Sequence, residues 1–348
     1  MRMCQLFSDI SLKNLCIEIT NKCMLNCIHC SSKASSKSKD MLLFEDIKKI
    51  LIDAVNEGVE NLSISGGEPL IHPEFKEIFS FAKDLGLHIT VYSCGIIYNN
   101  NKHSSITEDT LIFLKENINK IIISLHGSND ETIQKIVKIK NGFNTIINSI
   151  KSCLKYNIET EIHFVPMNIN YNEFLDLLDI INDINIKRIS LLRLVPQGRC
   201  LNNNELEVSV DNMQFLLKEI NNKIVNKKYT DLSIRYGCPF NCITDDKNNK
   251  PCSVGINKLN ISARGDVFPC EAFKWLGDFI TPTNILKTNL HDIWVHNELL
   301  FFLRTRKIPE ICVNKCDKLR RCGGGCVSQF FLYNEQSRNQ LINWLNKK

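Results

Sequence analysis

The chain of 348 residues contains no run approaching the roughly 20 consecutive apolar residues that a bilayer-spanning helix needs, so no membrane span is expected. Its first fifteen residues lack a basic start, an apolar stretch and a small-residue cleavage site, and no targeting segment is predicted. Net charge is also scarce. Lys and Arg number 43 against 38 Asp and Glu, a balance of +5 without the concentrated basic stripe that phosphate backbones require. Nucleic acid is therefore excluded as an expected partner, and a cytoplasmic location is expected. A hydrophobic content of 43% is enough for one large buried domain and a smaller appended one.

What the sequence has in abundance is cysteine, 16 residues in all. In a reducing compartment that number argues against a disulfide framework and for metal ligation. Three cysteines crowd into 23–30 and eight lie between 238 and 326. The scattered Cys4, Cys16, Cys94, Cys153 and Cys200 read as small core residues.

From residue 15 to about 195, short apolar runs alternate with stretches whose apolar residues recur at helical spacing. That alternation is the pattern of successive βα units on a parallel sheet. Strands are predicted at 15–20, 61–65, 87–93, 120–125, 159–165 and 188–194, with helical segments such as 44–56 and 171–183 between them. The fold class expected is α/β, a partial (β/α)6 TIM-like barrel with a small Cys-rich α+β C-terminal domain. The boundary is placed near residue 230, dividing 1–230 from 231–348. A helix is expected at 211–227, before the boundary; within the second part, 258–262 and 267–268 flank Gly265 as a hairpin would, and 289–304 reads as helical.

Barrels of this class collect their chemistry at the C-terminal ends of the strands. Special residues follow the predicted strands here: 21–30 after the first, Gly66, Gly67, Glu68 and Pro69 after the second, His126 and Gly127 after the fourth. Cys23, Cys27 and Cys30 put three thiolates on one short loop, a soft donor set that leaves a cubane iron–sulfur cluster one ligand short. An iron with an open position can chelate the amino and carboxylate groups of S-adenosylmethionine (SAM), and a reduced cluster can then break the S–C bond. The alternative, a structural zinc, wants four protein ligands, and His29 is the one extra candidate nearby. Two glycines at 66 and 67 would let a ligand approach the main chain closely. Downstream, Cys238, Cys242, Cys252, Cys270, Cys312, Cys316, Cys322 and Cys326 supply eight thiolates, enough for two four-iron clusters or, alternatively, for structural zinc.

The C-x3-C-x2-C loop followed by the Gly-Gly-Glu-Pro turn resembles the radical SAM superfamily over roughly residues 14 to 230. That resemblance implies a [4Fe-4S] cluster on Cys23, Cys27 and Cys30, with His29 beside the adenine of SAM and Gly66, Gly67, Glu68 and Pro69 at its methionine amine. It also implies ribose-side and further SAM contacts at Ser124 and Asn168. The C-terminal cysteines resemble the SPASM/twitch extension, which holds one or two auxiliary [4Fe-4S] clusters. A first auxiliary set would be Cys252, Cys270 and Cys326 with Cys238 or Cys242; a second would be Cys312, Cys316 and Cys322 with a borrowed ligand. Two departures from that pattern stand in the sequence: the first gap is three residues rather than two, and no cysteine follows Cys326. Glu271, directly after Cys270, stands where some relatives carry a carboxylate base.

The same resemblance implies an oxidoreductase that abstracts hydrogen from a ribosomal peptide or protein and so oxidises or crosslinks it. A flavodoxin- or ferredoxin-type reductant is implied, and because the first strand begins by residue 15 the peptide is expected to be recruited either by direct binding or by a separate recognition protein. Two other readings are a small-molecule cofactor enzyme of a tetrapyrrole or quinone pathway and a non-catalytic iron–sulfur or zinc protein. The last fits least, because an electron carrier wants four protein ligands on each cluster.

Overall fold

Along the first strand, Leu15, Ile17 and Ile19 face one side and Cys16, Glu18 and Thr20 the other; all are buried except the half-buried Cys16. A strand covered on both faces belongs inside a parallel sheet with helices packed outside it. In the computed structural model, which describes residues 2–6, 9–99, 102–201, 203–225, 229, 231–237 and 251–346, this is how it lies. Cys238 and Cys242 fall outside the described residues.

The strands are β1 (Asn14–Thr20), β2 (Asn61–Gly66), β3 (His88–Ser93), β4 (Ile97–Asn99), β5 (Lys102–Ser104), β6 (Lys120–Ser124), β7 (Thr160–Phe164), β8 (Arg188–Leu191), β9 (Ser233–Tyr236), β10 (Lys258–Ile261) and β11 (Val267–Phe268). Nine of them form one sheet in the order β11-β10-β1-β2-β3-β6-β7-β8-β9, and all neighbours are parallel except β10 and β11. The six strands expected from the sequence are its centre, in chain order, so the (β/α)6 reading describes the middle of the sheet. The sheet also continues past residue 230. β9 extends it beside β8, and the β10–β11 hairpin, turning at Gly265 with φ +83°, caps the free side of β1. Such pairing removes exposed strand edges, which otherwise invite association with other chains.

Helices α1 (Phe44–Asn56), α2 (Phe75–Asp84), α3 (Glu108–Asn117), α4 (Asp130–Val137), α5 (Gly142–Lys155), α6 (Phe174–Asp183) and α7 (Val210–Val225) alternate with the strands. In α1, Ile47, Ile50, Leu51 and Ala54 recur at three- and four-residue spacing and are all buried against the sheet, while Glu45 and Asp46 favour its N-terminal dipole. The short antiparallel pair β4–β5 had no counterpart in the sequence reading. β8 ends at Leu191, three residues earlier than expected, because the chain from 192 leaves the ladder for an irregular path. The C-terminal part carries a second apolar core built from Phe268, Phe273, Trp275, Leu276, Leu303 and Phe331. Among the described residues no helix is long and apolar enough to cross a membrane.

Candidate functional site

The 23–30 loop follows β1 at the C-terminal edge of the sheet, pinned from two directions. Cys23 N donates to Ser35 O at 3.1 Å, and Ile28 N donates to Ile136 O at the end of α4 at 3.0 Å. The turn after β2 lies directly on it: Gly67 N donates to Thr20 O at 2.7 Å and Glu68 N to Lys22 O at 2.9 Å. A Cβ at Gly66, whose φ is +139°, would sit 2.1 Å from Thr20 O, and one at Gly67 2.1 Å from Lys22 O. Both glycines are thus demanded by the close approach of the main chain at the end of β1 and at Lys22, just ahead of the loop.

Glu68 is buried, with 1% of its surface exposed, and burial raises its carboxyl above the usual range. It accepts from Ser93 Oγ at 3.0 and 3.1 Å, from Cys94 N at 2.8 Å and from Leu70 N at 3.2 Å, which joins the turn after β2 to the end of β3. Cys94 is therefore no ordinary core cysteine. Its thiol donates to Ile96 O at 3.2 Å, and its nearness to Cys23 is the main cause of a lowered Cys23 pKa, helped by Leu25 N, which donates to Cys23 Sγ at 3.5 Å. The signal that could have found it was its place just after a strand end, the criterion applied elsewhere in the sequence.

Cys27 is pushed up by burial and then by its neighbours Cys23 and Cys30, so a positively charged group between the three would favour its thiolate. Among the described residues no three Cys, His, Asp or Glu side chains close around a single-ion position. A four-iron cluster takes each thiolate on a different iron, and three soft donors on one loop leave one iron open. The donor set fits the cluster. His29, between two of these cysteines, keeps Nδ1 buried without a hydrogen-bond partner, and burial, then the Arg199 charge, lowers its pKa to about 4, leaving a neutral ring. It meets His126 edge-on, ring centroids 4.6 Å apart.

Ser124 ends β6 half-buried, in register with His163 of β7. Asn168 is exposed, and its side-chain amide donates to Glu205 O at 3.1 Å. The buried asparagine is Asn170, which donates to His126 O at 2.8 Å and to Val165 O at 3.1 Å and so laces together the ends of β6 and β7. In a chain so rich in asparagine, nothing in the sequence distinguished the two.

Glu271 is drawn into an ionic cluster. Its carboxylate pairs with Lys274 Nζ at 2.5 Å and accepts from Ser31 Oγ at 2.9 Å. Lys274 also bonds Glu18 of β1, and donates to Ser32 Oγ at 2.7 Å. Burial disfavours the ammonium, but Glu18 and Glu271 together outweigh it and raise the Lys274 pKa. Ser31 and Ser32 follow Cys30 directly and Glu271 follows Cys270, so this cluster joins the two cysteine regions.

Cys270 is pushed up to about 12 by burial, against the pull of Lys258, with Cys252 and Cys326 adding to the rise; these three lie within electrostatic reach of one another. Cys312 feels Cys316 and Cys322 in the same way, and Gly325 N donates to Cys322 Sγ at 3.1 Å. Cys252 and Cys326 thus act on Cys270, and Cys316 and Cys322 on Cys312.

The path after β8 ties everything at this edge together. Arg199 N donates to Cys30 O at 3.0 Å, its Nε to Cys27 O at 2.7 Å and its Nη1 to Ala34 O at 2.7 Å. Gly198, with φ +66°, lies so close that a Cβ would be 2.3 Å from Cys30 O. Gln197, 1% exposed, donates through Nε2 to Glu271 O at 2.8 Å.

Residues 17–181 match the family model described as the Radical SAM superfamily. The chain is 24% identical over 324 residues to PqqA peptide cyclase of Gluconobacter oxydans, a match covering 91% of this chain and 86% of that protein. It is 25% identical over 266 residues to a probable GTP 3',8-cyclase of Methanocaldococcus jannaschii, covering 74% of this chain and 85% of that one. The crystal structure of Streptococcus suis SuiB bound to precursor peptide SuiA aligns with a TM-score of 0.75 at 20% identity, over 93% of this chain and 74% of that chain. At that identity the likeness is one of fold.

Proposed function

Because the chain belongs to the radical SAM superfamily, we propose that it cleaves SAM reductively and uses the 5'-deoxyadenosyl radical to abstract hydrogen from a ribosomally made peptide or protein, which is oxidised or crosslinked. The observation that carries this reading is the seating of the Gly66, Gly67, Glu68 turn on the three-thiol loop, beside a neutral His29 whose Nδ1 is unpartnered. A [4Fe-4S] cluster held by Cys23, Cys27 and Cys30 supplies, when bound, an iron with an open position for SAM and the electron that breaks its S–C bond.

The chain's own residues do the positioning. Arg199 and the backbone of 66–68 hold the loop's shape, Glu68 anchors the turn to β3, and His29 offers an uncharged ring to the adenine. The backbone of Gly66, Gly67, Glu68 and Pro69 is assigned to the methionine amine of SAM, with Ser124 and Asn168 assigned to its far side. Cys252, Cys270 and Cys326, with Cys238 or Cys242, are assigned to a first auxiliary [4Fe-4S] cluster, and Cys312, Cys316 and Cys322 to a second. Glu271 is assigned as the base that takes a proton from the substrate. Residues 1–230 are assigned to the SAM-binding part and 231–348 to the auxiliary part, with electrons from a flavodoxin- or ferredoxin-type protein, a separate protein to present the peptide, and a cytoplasmic location.

Peptide chemistry is supported by the relatives. The match to a peptide cyclase covers 91% of the chain, whereas the nucleotide-cyclase match covers 74%. That second match favours a small-molecule substrate as the alternative. Anaerobically reconstituted protein given SAM and dithionite is expected to release 5'-deoxyadenosine, and Cys23→Ala to reduce it to background. Mass spectrometry of a short peptide encoded beside the gene should then show loss of two hydrogens per bond formed. Cleavage that persists in Cys23→Ala would remove the loop from the mechanism; cleavage stimulated by a small molecule but by no peptide would move the substrate to the second reading.

A further inference from the structure

The stretch 192–199 has no regular secondary structure up to Gly198, yet it touches both cysteine regions. At its far end Arg199 and Gly198 are locked against Cys27, Cys30 and Ala34, and Gln197 is locked against Glu271 and Trp275 N. At its near end Arg193 Nη2 donates to Cys326 Sγ at 3.0 Å. This is a charged, directional hydrogen bond to a thiol assigned above as an auxiliary-cluster ligand, from a side chain whose backbone is held on both sides.

We propose that Arg193 is a positioning residue that makes the reduction potential of the iron–sulfur group held through Cys252, Cys270 and Cys326 more positive. The inference rests on the ligand assignment of the preceding section. Its physical basis is that the sulfur ligands share the cluster's negative charge, which is one unit larger in the reduced state. A donor carrying a permanent positive charge therefore favours the reduced state over the oxidised one, and hydrogen bonds to sulfur are among the main determinants of cluster potential. Lys258, whose charge also acts on Cys270, remains when Arg193 is replaced, so the effect of replacement is partial. The Cys23, Cys27 and Cys30 site receives no bond from Arg193; its own contact in this stretch is Arg199 to main-chain oxygens rather than to sulfur.

The test is a redox titration of reconstituted protein followed by electron paramagnetic resonance, with iron content measured in parallel. Arg193→Met should shift the equilibrium of one cluster about tenfold toward the oxidised state, ~59 mV for a one-electron couple, and leave the SAM-responsive cluster where it was. Arg193→Lys, which keeps the charge but not the planar fork, should fall between and guards against misfolding of the methionine variant. Cys326→Ala should lose one cluster's iron. If Cys326→Ala loses iron but neither arginine variant moves a potential, the role of Arg193 is overturned and the ligand assignment stands. If Cys326→Ala keeps full iron, both are overturned, and equal shifts in every cluster would reduce Arg193 to a general structural contact.

Discussion

Replacing Lys274 by methionine is expected to cost about 3–5 kcal/mol of folding free energy at neutral pH, because it leaves a buried carboxylate without its counter-ion. The side chains of Lys274 and Glu18 are only 10% and 6% exposed, so water cannot take over the lost pairing. Burial already holds the Glu18 carboxyl above its ordinary value of 4.5 against the pull of Lys274. Without the ammonium, its folded-state pKa must climb further while the unfolded value stays put. A native state that keeps a proton the unfolded chain has released loses stability as pH rises between those two values. The deficit of the variant should therefore be smaller at about pH 5 than at pH 7. Urea unfolding of the reconstituted protein at both values reads this directly. The double variant Glu18→Gln with Lys274→Met should recover most of the loss, since the one carboxylate it leaves without Lys274, Glu271, has a side chain 44% exposed and is solvated. A single-variant cost below about 1 kcal/mol, or one independent of pH, would show the pair to be solvated and dispensable.

The second large effect is expected at Gly67→Ala. The added Cβ would lie 2.1 Å from Lys22 O and 2.6 Å from Lys22 C, both main-chain atoms one residue before Cys23. Neither side can yield as a flexible side chain would. Gly67 N and Glu68 N donate into the same backbone, and the turn is tied to β3 through Glu68. The cost should be on the order of 3 kcal/mol or more, through displacement of the loop itself. The expected result is protein that keeps its auxiliary iron but fails to load the first cluster. Gly86→Ala is the informative control. That glycine also has positive φ, +77°, but nothing lies within 4 Å of its would-be Cβ. It should cost only the roughly 1–2 kcal/mol of left-handed backbone and leave iron content intact. Normal first-cluster loading in Gly67→Ala would mean that the loop tolerates the displacement, and the close backbone contact would lose its functional meaning.

Much of this molecule could be read along the chain. The six central strands were found within a few residues because each is a short apolar run flanked by helical spacing, and strands buried on both faces carry that pattern locally. The three-thiol loop, its position after β1 and the Gly-Gly-Glu-Pro turn after β2 were legible for the same reason: they are properties of residues adjacent in sequence. The hairpin at Gly265 belongs with them, since a turn is a local event.

What the sequence left open was decided by contacts between residues far apart in it. β9 and β10 join the sheet from beyond residue 230 because the edges of β8 and β1 need partners, and edge pairing has no signature in the strand that supplies it. Cys94 became a neighbour of Cys23 only when Glu68 drew the ends of β2 and β3 together. Asn170 was separated from Asn168 by burial alone. Glu271 was visible as a carboxylate after a cysteine, but the Lys274 that holds it lies opposite a β1 residue 256 positions away. By itself the sequence determined which elements form and which residues carry soft or acidic chemistry, because periodicity and composition are local. The partners of those residues, and with them the charge each can hold, were set only by tertiary packing, since burial and electrostatic fields are properties of the folded chain.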